Sequence, residues 1–535
     1  MVNLTEITDE STICIVCKSY APHSCGGCKQ VHYCNKLHQK EHWKQHKSEC
    51  RAFEVKSNEE VGRYLVASRD LNGGEKILVE NPVAFGPKHV DPTPVCLGCY
   101  KPPHSVARCL KCFWPVCDPK CPGLTDPNHH GAECLVLSLN RCLALQPSGF
   151  RYEIITPLRC LLLQKRNKKK WQQIINMEAH TNKRGVSTDV YKFFEERVVS
   201  HLTDQYLSKL EEGALPHCSK DVIHRICGIL DVNGVEIMAG GDIELIALYP
   251  TMYLMEHNCV PNTAYYFDPD FRVVVKPSIK ISKGEHLSTT YTHVLWGTDN
   301  RREHLKENKY FSCKCTRCKD RTELGTYISA LKCHGLPGQS EFCGGWQLPE
   351  DPLHEKSNWT CDKCSATLSY DEAKNLVNML AMEVEKIVQD RPSVEKIIEF
   401  LNKLEQLLHP HHFHCYEVKH LLIQLYGHQD GFSHNDLTME QINQKIDICR
   451  DLLSINKILD PGYSRLSLYT AVLMYELHLA LTELQSRGKQ SDNLTDEAKQ
   501  LVEETIKILE HEPANSPGSE LRTIAIISLD KLKKV

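Results

Sequence analysis

Cysteine and histidine recur in this chain at spacings that suit a tetrahedral metal ion. Cys14-x2-Cys17-x7-Cys25-x2-Cys28-x5-Cys34-x3-His38-x7-His46-x3-Cys50 forms one eight-ligand run. Cys96-x2-Cys99-x9-Cys109-x2-Cys112-x4-Cys117-x3-Cys121-x8-His130-x3-Cys134 writes the same pattern again. Thiolate and imidazole suit zinc, and four such ligands per ion close a structural site with no open position for chemistry. The expected pairing is interleaved: Cys14, Cys17, Cys34 and His38 on one ion, Cys25, Cys28, His46 and Cys50 on the next. In the second copy the sets are Cys96, Cys99, Cys117, Cys121 and Cys109, Cys112, His130, Cys134. Both copies share the terminal His-x3-Cys, and spacing picks His38 and His130 over the neighbouring His42 and His129.

Cys313-x-Cys315-x2-Cys318 supplies three ligands, one short of a tetrahedron. Cys259 is the expected fourth. It sits in residues 255–267 (MEHNCVPNTAYYF), where Pro261 forbids a regular ladder and the string reads as a loop held in one shape. Cys333, Cys343, Cys361 and Cys364 make a further cluster with longer inner spacings. The ligands named so far, four to an ion, predict six zinc ions. Six of the 27 cysteines are left over, namely Cys142, Cys160, Cys218, Cys227, Cys415 and Cys449, and read as small core residues.

So many thiols need a compartment that keeps them reduced. The start MVNLTEITDE lacks the apolar stretch of a signal peptide, and no run approaches the roughly 20 apolar residues of a membrane span. With 41% hydrophobic and 25% charged residues over 535 positions, the chain reads as a soluble intracellular protein of three or four domains. A formal net charge of -4 gives no global attraction to nucleic acid, so direct binding of it is not expected.

The elements that must position these ligands are legible in outline. Residues 61–71 and 72–80 read as strand, tight turn, strand. Residues 272–277 (RVVVKP) and 284–291 continue the short-strand style of a compact β fold. Residues 136–215 read as helices, with the basic run Lys165-Arg166-Asn167-Lys168-Lys169-Lys170 as a solvated helix face. Beyond residue 371, Val394, Ile397, Ile398, Leu401, Leu404, Leu407 and Leu408 fall at helical spacing. His409, His411, His412 and His414 belong to a loop before the next helix rather than to a metal site.

Both eight-ligand clusters resemble the MYND zinc finger, the first through Val31-His32-Tyr33-Cys34 and His42-Trp43-Lys44-Gln45-His46-Lys47. The order of residues 62–86, the finger at 96–134, Asp231-Val232-Asn233-Gly234, Tyr249-Pro250, residues 257–262, residues 284–291 and Cys313 to Cys318 resembles the SMYD type of SET domain. There a MYND finger interrupts the SET domain. The extra N-terminal finger and the zinc-ribbon-like segment are most similar to an arthropod branch.

That resemblance implies an α+β fold: a SET β core interrupted by a MYND finger and a helical insert, a second finger at the N-terminus and a repeat-like helical C-terminal domain. The implied boundaries are 1–55 (first finger), 56–92 (SET, N-terminal part), 93–135 (second finger), 136–216 (insert), 217–308 (SET core), 309–370 (post-SET and ribbon-like segment) and 371–535 (helical domain). It implies transfer of a methyl group from S-adenosylmethionine to a protein lysine, in regulation of gene expression, with cytoplasmic and nuclear residence. Tyr291 matches the tyrosine beside the transferring methyl and Phe311 a wall of the lysine channel. Gly62, Arg63, Tyr64, Asn233, Glu256, His257 and Tyr291 match cofactor-contacting positions. The fingers and the helical domain imply protein substrates or peptide-motif partners. Two positions depart from the family pattern: Glu256 stands where the string usually begins with Asn, and Tyr64 where a Gly usually follows Gly-Arg. They keep a second reading open, a weak or inactive adaptor that uses its fingers to recruit partners such as transcriptional corepressors.

Overall fold

The structure, a computed structural model, describes residues 13–533 except 27–30, 48–49, 51, 60, 89–93, 103–106, 146–149, 241–242, 337–342, 489–491 and 515. The chain divides into two compact units. The first comprises Met1–Met255, Tyr265–Lys276 and Ile281–His286; the second comprises Glu256–Ala264, Pro277–Lys280 and Leu287–Val535.

The core of the first unit is built on the helix Ile155–Arg166. Its sequence ITPLRCLLLQKR is apolar on nearly every face, and all of it but Lys165 is buried, as expected of a helix packed on all sides. Trp114, Tyr152, Ile174, Val199, Leu202, Ile226 and Ile229 pack into the same core. Against it lies an antiparallel sheet in the order Ala84–Pro87, Glu244–Leu248, Val235–Met238. Helix and strand meet so closely at Gly86 that a Cβ there would stand 2.6 Å from Thr156 Oγ1, which is why that position has no side chain. Leu78–Glu80 pairs antiparallel with Val273–Val275 in another small sheet.

Strand Gly62–Ala67 pairs with Phe53–Asn58, a strand that sequence reading did not separate from the first finger. The two strands read from residues 61–71 and 72–80 therefore do not form a hairpin with each other: their partners come from residues 53–58 and 273–275. Turn chemistry at Asn72-Gly73-Gly74 marked the reversal correctly, but pairing was decided by segments distant in sequence. The basic run is also not one helix face. Asn167 ends the first helix and caps the next, Lys168–Ile175, accepting a bond from Lys170 N, and Arg166 is buried at 3% exposure.

The second unit carries a four-stranded antiparallel sheet in the order Leu331–Lys332, Trp346–Pro349, Trp359–Cys361, Thr367–Leu368. Helices from Tyr370–Asp390 to Pro517–Leu532 follow it. Ser369 with Glu372 and Thr438 with Gln441 start two of them as reciprocal capping boxes. In Val394–Leu407 the buried residues are Val394, Ile397, Leu401 and Leu404, the stripe that the spacing marks. His409, His411 and His412 precede the helix Phe413–Leu425, with His412 as its N-cap, whereas His414, expected in the same loop, lies buried in its first turn. Among the described residues no helix is long and apolar enough to cross a membrane.

Candidate functional site

Five of the expected ligand sets come together. They are Cys14, Cys17, Cys34, His38; Cys96, Cys99, Cys117, Cys121; Cys109, Cys112, His130, Cys134; Cys259, Cys313, Cys315, Cys318; and Cys333, Cys343, Cys361, Cys364, the ligand atoms of each within 4.8 Å of one another. The remaining set includes Cys28, outside the described residues, but Cys25 Sγ and Cys50 Sγ stand 3.7 Å apart. A zinc–sulfur bond of about 2.3 Å in a tetrahedron puts sulfurs about 3.8 Å apart. The observed Sγ separations of 3.5 Å for Cys99–Cys117, 3.6 Å for Cys109–Cys134, 3.9 Å for Cys259–Cys313 and 3.7 Å for Cys333–Cys364 match that edge and are far too long for disulfides. Backbone N–H groups two residues on turn toward the thiolates, as Gly98 N to Cys96 Sγ and Gly335 N to Cys333 Sγ. The donor sets fit zinc. The leftover thiols are less uniform: Cys160, Cys227, Cys415 and Cys449 are buried as expected, whereas Cys142 is exposed and Cys218 only half-buried. Cys142 lies in a turn just past the helix His130–Ser138, where no apolar stripe draws it inward.

Outer partners of the ligands are charged and buried. His130 Nδ1 lies 3.4 Å from Glu133, whose two oxygens take bonds of 2.7 and 2.9 Å from Arg159. Arg159 also donates to Phe85 O, Tyr100 Oη and Leu97 O. Burial alone would push the Glu133 carboxyl up, but Arg159 and His130 hold it down at about 2. In the second unit Arg301 donates to Cys259 Sγ at 3.2 Å and Cys318 Sγ at 3.5 Å, while Glu323 accepts from Arg301 at 2.7 Å and from Arg317 at 3.0 Å. A four-thiolate zinc site carries net charge of -2, so a buried guanidinium beside it offsets charge that has left water. Sequence reading missed these residues. Arg159 could have been flagged as a charge inside an apolar helix, but nothing distinguishes Arg301 in the charged string TDNRREHLKEN.

The expected methyl-transfer residues fall into both units. In the second, Glu256–His257 pairs parallel with Ser288–Thr289, and Asn262 Oδ1 accepts from Ser288 N at 2.8 Å, fixing the loop at both ends. Tyr291 N donates to His257 Nδ1 at 3.0 Å, which leaves Nε2 to carry the proton it offers to Cys259 Sγ at 3.3 Å. His257 thus ties a zinc ligand to Tyr291. The ring centroids of His257, Tyr291 and Phe311 lie 5.3 to 6.5 Å apart, so these three come together.

In the first unit, Gly62 opens its strand at a left-handed φ of 71°. Arg63 donates to Asn176 O at 2.8 Å and to Tyr253 Oη, while Asn233 donates to Glu178 O at 2.7 Å and Ile229 O at 2.9 Å. Arg63 and Asn233 therefore grip one segment, 176–178. Tyr64 stacks on His286 at 4.5 Å.

Residues 14–50 match the family described as MYND finger. The SET domain-containing protein SmydA-8, isoform A, of Drosophila melanogaster is 27% identical over 374 residues, 65% of this chain and 72% of that protein. The histone-lysine N-methyltransferase ASHR1 of Arabidopsis thaliana is 23% identical over 382 residues, 67% of this chain and 74% of that protein. A crystal structure of the SET domain of LSMT bound to lysine and AdoHcy aligns over 93% of this chain and 92% of that one at 12% identity, with a TM-score of 0.27, a score that bears on neither fold nor ligand. Residues 14–50 are thus a MYND finger, and over about two thirds of its length the chain is similar to SET domain-containing proteins of the SMYD type.

Proposed function

We propose that this chain is a protein-lysine N-methyltransferase that uses S-adenosylmethionine and acts in the regulation of gene expression, in cytoplasm and nucleus. One arrangement carries the reading: His257, Tyr291 and Phe311 form an aromatic cluster pinned, through the His257 bonds to Tyr291 N and Cys259 Sγ, to a four-cysteine zinc set. When bound, S-adenosylmethionine supplies an electrophilic methyl on a sulfonium. The protein's task is to hold a neutral amine in line with it, and rigid aromatic walls do that at low entropic cost. Glu256, His257 and Tyr291 are the donor contacts in their unit, and Gly62, Arg63, Tyr64 and Asn233 keep that assignment in theirs. Zinc performs no chemistry here, because each of the five sets brought together by the described residues is closed by four protein ligands. Calorimetric titration with S-adenosylmethionine, followed by transfer of labelled methyl to core histones, tests the proposal. Tyr291→Phe should keep the fold and cut transfer at least about tenfold; transfer unchanged by it removes Tyr291 from the site.

A second reading, the adaptor, is favoured by two observations. Both amide protons of Asn233 are spent on backbone carbonyls, and the first finger exposes Leu37 at 72% and Trp43 at 43%. MYND fingers are protein-interaction modules, and exposed apolar side chains on one of them suit a peptide-motif partner. Absence of any binding of S-adenosylmethionine would leave the adaptor standing.

A further inference from the structure

A third group converges on Tyr291 besides His257 and Phe311. Lys309 Nζ stands 5.8 Å over the Tyr291 ring centroid, while Phe311 meets the same ring edge-on at 83°. Lys309 ends the helix Thr298–Asn308, its N–H bonding to Leu305 O at 2.9 Å. A lysine in that place is favourable for the helix simply by facing its last carbonyls. Here the chain does more. Tyr310 takes a left-handed φ of 62°, a conformation that costs a residue with a side chain about 1 kcal/mol or more, and the reversal it makes carries Lys309 and Phe311 to one ring.

We infer that Lys309 is a methyl acceptor of this chain itself, because the fold sets its ε-amine over Tyr291 and beside Phe311, where a substrate lysine would be offered. The inference rests on the methyltransferase reading above. In the step, the Lys309 ammonium first gives a proton to water. The nitrogen lone pair then forms a bond to the sulfonium methyl while the sulfur–methyl bond breaks. That bond's electron pair stays on sulfur, S-adenosylhomocysteine leaves, and Lys309 becomes a methylammonium.

The test uses the full chain with S-adenosylmethionine deuterated at its methyl, core histones in the same tube, and peptide mapping by mass spectrometry. Label is expected on Lys309, reduced at least about tenfold by Tyr291→Phe. Label on histones and none on Lys309 overturns the inference and leaves the methyltransferase reading intact. Label on neither overturns the inference, and if calorimetry also shows no binding of S-adenosylmethionine the reading falls with it. Label on Lys309 that ignores Tyr291→Phe is not made at this site and overturns the inference as well. A turnover-free arm checks the placement of the amine. With S-adenosylhomocysteine present, acetylation by an N-hydroxysuccinimide ester should modify Lys309 at least about threefold more slowly than the exposed Lys314, the scale of a weak cation–π contact. Tyr291→Ala should erase the difference. Equal rates in the wild-type chain overturn the inference.

Discussion

The two eight-ligand fingers carry one ligand pattern and are packed in opposite ways. In the first, Cys25, Tyr33 and Cys50 make a small cluster with Ile15 and Val31, and Cys17 is exposed. In the second, Cys96, Cys109, Cys112, Cys121 and Cys134 belong to the same core as Trp114, Tyr152 and Leu158 of the first unit. Its histidine is braced by Glu133 and Arg159, both nearly inaccessible to water. Ligand spacing therefore fixes what a finger binds and says nothing of what depends on it. One finger is a surface module, and the other is part of a unit's interior.

Substituting Cys112→Ser should break this contrast most visibly. A structural zinc contributes on the order of 10 kcal/mol to its module, and here the module is continuous with the core, so the first unit should lose its cooperative melt by circular dichroism. Cys14→Ser should lose one zinc by elemental analysis and keep that melt; loss of the melt in both variants would erase the distinction. Next comes Arg159→Met, which strands the Glu133 carboxylate and should cost about 3 to 5 kcal/mol in urea denaturation. Glu133→Gln is gentler on the fold. By removing the brace on His130 it should weaken zinc in the second finger about 10- to 100-fold against a competing chelator, leaving the first finger unchanged.

A site in the same unit but on neither finger calibrates the scale. Bonds from Lys220 and Ser200 hold Glu195 at about 2, below its ordinary 4.5. Because the folded value is depressed, the contribution is fully present above about pH 4.5 and is lost as pH falls toward 2. Glu195→Gln should thus cost about 1 kcal/mol at pH 7 and progressively less in acid; an equal cost at both ends would mean the bonds do not depend on charge. The smallest effect belongs to the first finger's outer face. Leu37→Ala should change stability by no more than about 0.5 kcal/mol, since this side chain, 72% exposed, stays largely in water.

How far the sequence could be read follows the same division. Cys-x2-Cys pairs and His-x3-Cys endings named the interleaved sets and chose His38 and His130 over His42 and His129, because a tetrahedral ion constrains spacing strongly. Helical periodicity located the buried stripe of Val394–Leu407. Short strands were harder. Phe53–Asn58 was missed because its residues after Phe53 are all exposed and show no alternation, and its pairing with Gly62–Ala67 redirected a strand expected to meet residues 72–80.

What the sequence determined by itself was ligand identity, since the elements of a zinc site are local pairs whose chemistry is written in residue type and separation. It also marked Cys259 as the partner of a triplet some fifty residues downstream, because a tetrahedron with three ligands demands a fourth. Tertiary structure alone decided the surroundings: which finger is interior, that Arg301 and Arg159 face thiolate and carboxylate, that His257 joins Cys259 to Tyr291, and that Lys309 reaches the Tyr291 ring. These are meetings of single side chains from distant segments. No periodicity records them, because one charged residue on a charged helix leaves the same trace whether it faces water or a buried thiolate.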